Sequence, residues 1–596
     1  MSLIARLGRR SAGGWFGVVF GLGVLCALPA LRAGFYADDY VQLAKLRAGG
    51  TAGQRAASLF TFAEGGAATR RLIGDGTLPW WTTPELRVRF FRPLSAGLMM
   101  ADHALFGLQP LGYHVHSLLW WLAWMGGTAL LFRRIFPPRL GLLAFVVFAV
   151  DDAHWLPIGW IAGRNATVAM ACVVWGLLAY LRYRDERWRP GLMLALGVWA
   201  LALLAGEVAL SGLMYVVAYE LVRDPGGGDG AWAARLRRLW PLGLLLAGYA
   251  ILYGWSASGV RGSGAYVDPI HETGAFIAAL ARRGPAQFGA LIFGAPLDLW
   301  LLTPLQLVFV AVGLVAILVT VPWFLAATRA LPAPDRIGAR WLALGGALSL
   351  IPTSAGLLGE RSLAAGSVGA AAMVAVLLRH GWVRRREVQG AKRIAFAVGV
   401  LALAIPNLVV AAPWLVTKLF FLNANGRALE HVAATADAAA PAPARAVLLW
   451  SDDLMIGSYT PIIARLAHPG SLPSFRVLAM ASVDLLMTRV APDTLELSCL
   501  DGALLTSEWE RLFRADNLPL SAGATVSLDG LTIQIAKDDD AGRPSRVRFR
   551  FDVPLDDPSL QFLEWRGRRL VPAELPAVGE TRPVFRNPPL LTAGVD

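Results

Sequence analysis

Two adjacent carboxylates, Asp38 and Asp39, stand in the segment Phe35-Tyr36-Ala37-Asp38-Asp39-Tyr40, directly after an apolar stretch. Neighbouring carboxylates repel each other and lose solvation beside an apolar surface. Three roles are open to such a pair. One acid can take the proton from an attacking hydroxyl as a general base. The two can bind a divalent cation through oxygen. They can also simply occupy a helix N-terminus, where the dipole favours acids. Further ionisable groups recur beside apolar segments: Arg92 in Phe91-Arg92-Pro93-Leu94, then Asp102, then His114 closing the run from Leu105. After these come Asp151, Asp152 and His154, Arg164 in Trp160-Ile161-Ala162-Gly163-Arg164, Glu207, and the pair Glu360-Arg361. Charge at membrane depth is costly and marks a cavity or a site, or else an interhelical ion pair. Arginine suits a phosphate because its planar fork stays charged and pairs two oxygens. Either histidine lines such a cavity or is a hydrogen-bonded structural residue.

The elements that must position these groups follow from composition. Of 596 residues, 56% are hydrophobic and 16% are charged, with a mean hydropathy of +0.52. Soluble domains carry roughly 25% charge, so most of this chain is expected in lipid. The net charge of +13 sits in arginine clusters between apolar runs rather than in a stripe interleaved with aromatics, which argues against nucleic acid. Cys26, Cys172 and Cys499 form no CxxC pattern and no disulfide framework.

Apolar runs near 13–31, 112–132, 139–153, 166–181, 191–205, 208–222, 240–257, 303–326, 341–357, 363–379 and 394–415 predict about eleven transmembrane helices. The first is read as an uncleaved span, because the acid pair follows it at once. Arg6, Arg9 and Arg10, then Arg133 and Arg134, Arg182 to Arg189, Arg235 to Arg238 and Arg384 to Arg393 fall on one side if the N-terminus is cytoplasmic. The loop at Gly227 then lies inside and Asp596 outside, and every ionisable group named above sits at an outer span end. A long outer loop is expected at 32–111, with Leu78–Trp81 and Phe90–Phe106 lying in the membrane interface, and a second at 258–300. Residues 1–420 form the membrane domain. An Ala/Pro-rich linker at 421–444 leads to a soluble extracytoplasmic domain at 445–596. Alternation in 524–535 and 545–553, an Asp529-Gly530 turn and a hairpin near Arg566-Gly567 make that domain small and α+β or β-rich.

FYADDY, FRPL, LFGLQPLGYH, WIAGRNATVAM, LLAGEVAL and ERSLAAGSVG, in that order over roughly residues 15–415, resemble multi-span glycosyltransferases of the GT-C class. The branch is similar to bacterial relatives of the transmembrane O-mannosyltransferases that carry tetratricopeptide repeats. The resemblance implies a helical bundle in the bacterial inner membrane, a polyprenyl-phosphate sugar as donor, and catalysis by the acid pair. Asp38 or Asp39 would be the base, with Asp38 favoured by the order of the pair. Arg92, Arg164 or Arg361 would hold donor phosphate, and His114 and His154 would line the cavity or position substrate; Asp151, Asp152 and Glu207 are added as candidate substrate-binding groups from their place at the span ends. Cofactor need stays open, with a divalent cation as the candidate. The sequence departs from that branch where related chains often read HPVHVEAV before WIAGR: here it reads Asp151-Asp152-Ala153-His154-Trp155-Leu156-Pro157-Ile158. No 34-residue repeat occurs in the tail, so a protein acceptor is not carried over from the repeat-bearing branch, and the acceptor stays open among a glycan, a lipid and a protein.

The expected activity is an inverting transfer to an acceptor hydroxyl outside the membrane. A ligase joining a lipid-linked glycan to its acceptor is the alternative enzyme. A non-enzymatic transporter or flippase would favour paired half-chain repeats, which the sequence lacks.

Overall fold

Leucine, valine, alanine and tryptophan without interruption by charge give helices apolar all round, and these dominate the first 440 residues. A computed structural model of the chain describes residues 3–223, 231–441, 443–451 and 453–584. Gly227 and Asp596 lie outside them. All eleven segments expected to span are helical. Among the described residues six helices are long and apolar enough to cross a membrane: Gly14–Arg32, Pro110–Ile135, Arg164–Glu186, Thr303–Arg329, Glu360–Glu387 and Gly390–Ala439. A seventh arises if Pro138–Ala149 and Asp152–Gly159, bent by 46°, are one broken span. Pro190–Ala205, Val208–Arg223, Ala231–Trp255 and Ala333–Thr353 fall short in length or apolarity. Leu307, Leu318, Val398 and Val409 are exposed on the candidate spans, as lipid-facing side chains are. Trp121, Trp124, Phe145, Phe148 and Trp199 fill the bundle interior.

Two expected connections are helical instead. The region from 258 to 300 contains Thr273–Phe293, laid against Gln306–Arg329 so closely that a Cβ on Gly313 would meet the Pro285 carbonyl at 1.9 Å. Glycine at that contact is what lets the backbones touch. The linker expected at 421–444 is mostly the end of Ala411–Ala439. Alanine is the strongest helix former, and the helix-stopping prolines come only at Pro441 and Pro443. With Gly390–Ala404 and a π turn at Ile405–Val410, this helix runs 50 residues. That is about 75 Å against ~30 Å of hydrocarbon, so its far half forms a stalk under the C-terminal region.

The C-terminal region is α+β. Six antiparallel strands pair in the order Thr581–Val584, Leu485–Ala491, Thr494–Cys499, Pro544–Phe551, Leu531–Asp538, Thr525–Leu528. A second, mixed sheet orders Arg569–Pro572, Leu560–Arg566, Arg445–Leu448 and Ser474–Val477, the last three parallel. Both expected hairpins form, with Gly530 at φ +69° and Gly567 at φ +54° in the turns. A small third sheet knits two connecting segments together: Thr61–Glu64 and Arg87–Arg89 from residues 32–111, Gly259–Arg261 from residues 258–300.

Leu78–Trp81 does not lie in the membrane interface. Trp80 and Trp81 are buried in one apolar core with the C-terminal sheets. Trp80 packs on Phe549 at 5.8 Å between ring centroids and donates Nε1–H to the Leu478 carbonyl at 2.9 Å, while Trp81 packs on Phe513. The C-terminal core is therefore completed by the segment that follows the first helix. Trp80→Ala is expected to destabilise the C-terminal region by about 3–5 kcal/mol, read as a lowered unfolding midpoint of the purified full chain. An unchanged midpoint would mean the region holds its core alone.

Candidate functional site

The acid pair opens a helix, Asp38–Arg47, entered by a strained residue: Ala37 holds φ +49° and ψ −118°. A side chain there costs on the order of 1–3 kcal/mol, and Ala37 forms no side-chain cap. The acids are held from outside the helix. Asp39 is fully buried, and both its oxygens accept backbone N–H groups, from Tyr36 at 2.9 Å and from Ala162 at 2.6 Å. Ala162 belongs to the WIAGR segment, so one carboxylate ties two motifs together. Asp38 is half-buried and accepts the Tyr459 hydroxyl at 2.6 Å. Burial raises both carboxyls. Asp39 reaches about 8 despite its two backbone hydrogen bonds. For Asp38 the rise is opposed by the Tyr459 hydrogen bond and by the charges of Arg361, Lys45 and Arg92.

The acid-bearing helix is clamped on its far side by the C-terminal region. Tyr40 donates to Glu430 on the stalk at 3.0 Å, and Arg47 donates to the Leu466 carbonyl at 3.0 Å. Lys45 reaches back to the Ser58 and Thr61 carbonyls, and burial lowers its ammonium to about 8.

The three candidate arginines have different surroundings. Arg164 is buried against Asp102 at 2.5 Å, and Asp102 also meets His116 Nδ1 at 2.7 Å. Arg92 pairs with Glu207 at 2.7 Å and lies over the rings of Phe90 and Phe60. Arg361 is the one among them with no carboxylate at ion-pair distance among the described residues. It donates to the Tyr266 hydroxyl at 3.4 Å and lies 5.6 Å from the Trp160 ring centroid, within electrostatic reach of Asp38. The guanidinium thus lies against two aromatic side chains, with the Asp38 carboxylate within its electrostatic reach.

Asp151 and Asp152 belong to a neighbouring cluster. Lys418 Nζ lies 2.5 Å from Asp152 and 2.6 Å from Glu360. Asp298 accepts the Glu360 backbone N–H at 3.0 Å, and Asp151 accepts the Ala153 N–H at 3.0 Å. The ammonium occupies the place between carboxylates that a divalent cation would take. Among the described residues no three His, Cys, Asp or Glu side chains converge as metal ligands. The Glu360-Arg361 turn is held at its acidic end by Lys418.

Neither histidine reaches the acid pair. His114 sets Nε2 3.2 Å from the Gly34 carbonyl. His154 sits between Trp124 and Phe148, each 4.8 Å between centroids, with Nε2 3.2 Å from Ser367 Oγ. Arg361 and Arg92 lie within electrostatic reach of Asp38, beside Asp39, and Glu207 pairs with Arg92. Arg164 stands behind Asp39 on Asp102. Sequence reasoning missed Tyr459, Tyr266, Asp298 and Lys418. Only Lys418 carried a signal, as a lone lysine in the run Ala411–Leu422, three residues past the expected end of the last span.

No protein-family model matches the chain. Among solved structures, ArnT from Cupriavidus metallidurans bound to undecaprenyl phosphate aligns with 15% identity and a TM-score of 0.38, covering 76% of this chain and 85% of that one. The archaeal oligosaccharyltransferase AglB from Archaeoglobus fulgidus aligns with 10% identity and a TM-score of 0.40, covering 76% and 63%. At such scores neither alignment carries an assignment. By sequence, the chain is 29% identical over 199 residues to the protein O-mannosyl-transferase Tmtc1 of Drosophila melanogaster, which is 32% of this chain and 21% of that protein. The chain thus spans about a fifth of the curated relative it matches, and over that stretch it is similar to an O-mannosyltransferase, the class its motifs resemble.

Proposed function

We propose that the chain transfers a sugar from a polyprenyl-phosphate carrier to an acceptor hydroxyl on the outer face of the membrane. The observation that carries the reading is the half-buried Asp38 carboxylate held at one oxygen by the Tyr459 hydroxyl, with Arg361, which has no carboxylate partner among the described residues, within electrostatic reach. Asp38 takes the proton of the acceptor hydroxyl while its oxygen attacks the anomeric carbon. The bond to phosphate breaks with its electron pair going to the lipid phosphate, and the sugar inverts. Arg361 meets the charge that grows on the leaving phosphate, with Arg92 beside it, in a site where that charge is poorly screened. Asp39, with both oxygens occupied, orients the loop. The acceptor stays a glycan, a lipid or a protein. The ligase alternative uses the same groups with a larger lipid-linked donor.

The reading places the N-terminus in the cytoplasm and the C-terminal region outside. A reporter fused after Asp596 should be active only outside the cytoplasm, and activity inside would overturn the placement. The chemistry is tested with the full chain and a panel of polyprenyl-phosphate sugars, scoring release of polyprenyl phosphate. Arg361→Lys keeps the charge but loses the two-pronged contact, and should weaken donor binding roughly 10- to 100-fold. Arg164→Lys should instead lower stability, its partner being Asp102. Equal donor binding in wild type and Arg361→Lys would return Arg361 to a packing role.

A further inference from the structure

The geometry points to Tyr459, from the C-terminal region, as the residue that positions the Asp38 carboxylate for proton transfer. This inference rests on Asp38 being the base of the proposed transfer. The tyrosine ends a π turn, Met455–Tyr459, wound before the helix Thr460–Ala467. Single π turns are uncommon and gather at functional sites. The turn is pinned at its start: Asp453 accepts the Met455 N–H at 2.8 Å, and its own N–H reaches Ser451 Oγ at 3.1 Å. A Cβ on Gly457 would sit 3.0 Å from Met480 Sδ, so the winding is packed from behind as well. The tyrosine ring packs with Tyr36, Leu156 and Met455 around Ala37, Trp160 and Ala162. Its hydroxyl ends 2.6 Å from Asp38 Oδ1.

The charged and titratable groups facing Asp38 are Arg361, Lys45 and Arg92 on the positive side, with Asp39 and Tyr36 on the other. Against them Tyr459 has a defined part. Burial and the adjacent Asp38 charge push its own phenol well above the ordinary value, so it stays a donor and exchanges no proton. One carboxylate oxygen is thereby fixed, and the other is left for the acceptor hydroxyl. A hydrogen bond donated to a carboxylate favours the ionised form, so the tyrosine keeps the base ionised further down the pH scale.

The test uses the full chain in nanodiscs and, of the polyprenyl-phosphate esters of mannose, glucose, galactose and arabinose, the one that wild type turns over fastest. Tyr459→Phe keeps the ring and removes the donor. Its kcat/KM profile should have an acid limb displaced to higher pH, with roughly tenfold loss at a fixed pH on that limb. The loss should shrink toward the high-pH plateau, and donor Kd should hold. A profile superimposable on wild type would overturn the assignment. So would an equal loss at every pH, the mark of a packing role. Asp38→Asn, run alongside, separates this from the parent reading: turnover retained in Asp38→Asn removes the base itself, whatever Tyr459→Phe does.

Discussion

Asp38→Asn should cut turnover by roughly 10²–10⁴-fold with little change in donor binding, while Asp39→Asn should fail in a different way. Asparagine is nearly isosteric with aspartate but cannot carry the proton away. At position 38 that removes the base and leaves the shape, so kcat falls and donor Kd holds. At position 39 both oxygens already accept backbone N–H groups. An amide there turns one acceptor into a donor aimed at another donor, a cost of about 1–3 kcal/mol for a buried group. The loop from Tyr36 and the WIAGR segment then separate, and binding and turnover decline together. Burial raises the Asp38 carboxyl, and a base works only when ionised, so wild-type activity should fall as pH drops through a range above that of ordinary aspartates. Near-normal turnover in both single variants and the double variant would end the mechanism and leave the pair as a helix N-terminus.

Lys418→Met should be strongly destabilising. Asp152 and Glu360 are both buried, and Lys418 is the cation between them. Removing one partner of a buried ion pair costs about 3–5 kcal/mol, because uncompensated charge stays behind. The variant should lose that much against denaturant in detergent micelles and express poorly. Lys418→Met combined with Asp152→Asn and Glu360→Gln should recover most of the loss, since a neutral trio needs no counter-charge. A single variant as stable as wild type would mean that water already solvates these carboxylates. Donor binding should weaken as well, because the turn that carries Arg361 starts at Glu360.

Much of this arrangement is local, and what is local was legible. Long apolar runs gave the helices. Alternation with Asp529-Gly530 and Arg566-Gly567 gave the hairpins, and the acids beside the first apolar run pointed to the candidate site. What depended on distant partners was not. Arg164 and Asp102 each read as a site group, yet each is the other's counter-charge. Trp80 and Trp81 have the composition of interfacial anchors, and only the fold reveals a C-terminal core with room for two indoles. The helix Thr273–Phe293 hides in a stretch holding Arg282, Arg283 and Pro285. Arg283 spends its charge on the carbonyls of Ser354, Gly356 and Ala265, which no local pattern discloses. The stalk escapes any reading that weighs alanine and proline together, because alanine sustains a helix and proline ends it.

The contact between Asp38 and Tyr459 joins residues 421 positions apart. At ~5–20 residues per second, a ribosome needs roughly 20–80 s to travel from one to the other. Throughout that interval the nascent chain carries a finished acid pair with no tyrosine to hold it and no C-terminal core to receive Trp80. Completion of the site is thus timed by synthesis of the last quarter of the chain, and a transcript cut short before Tyr459 yields a membrane bundle whose acid pair never acquires its partner.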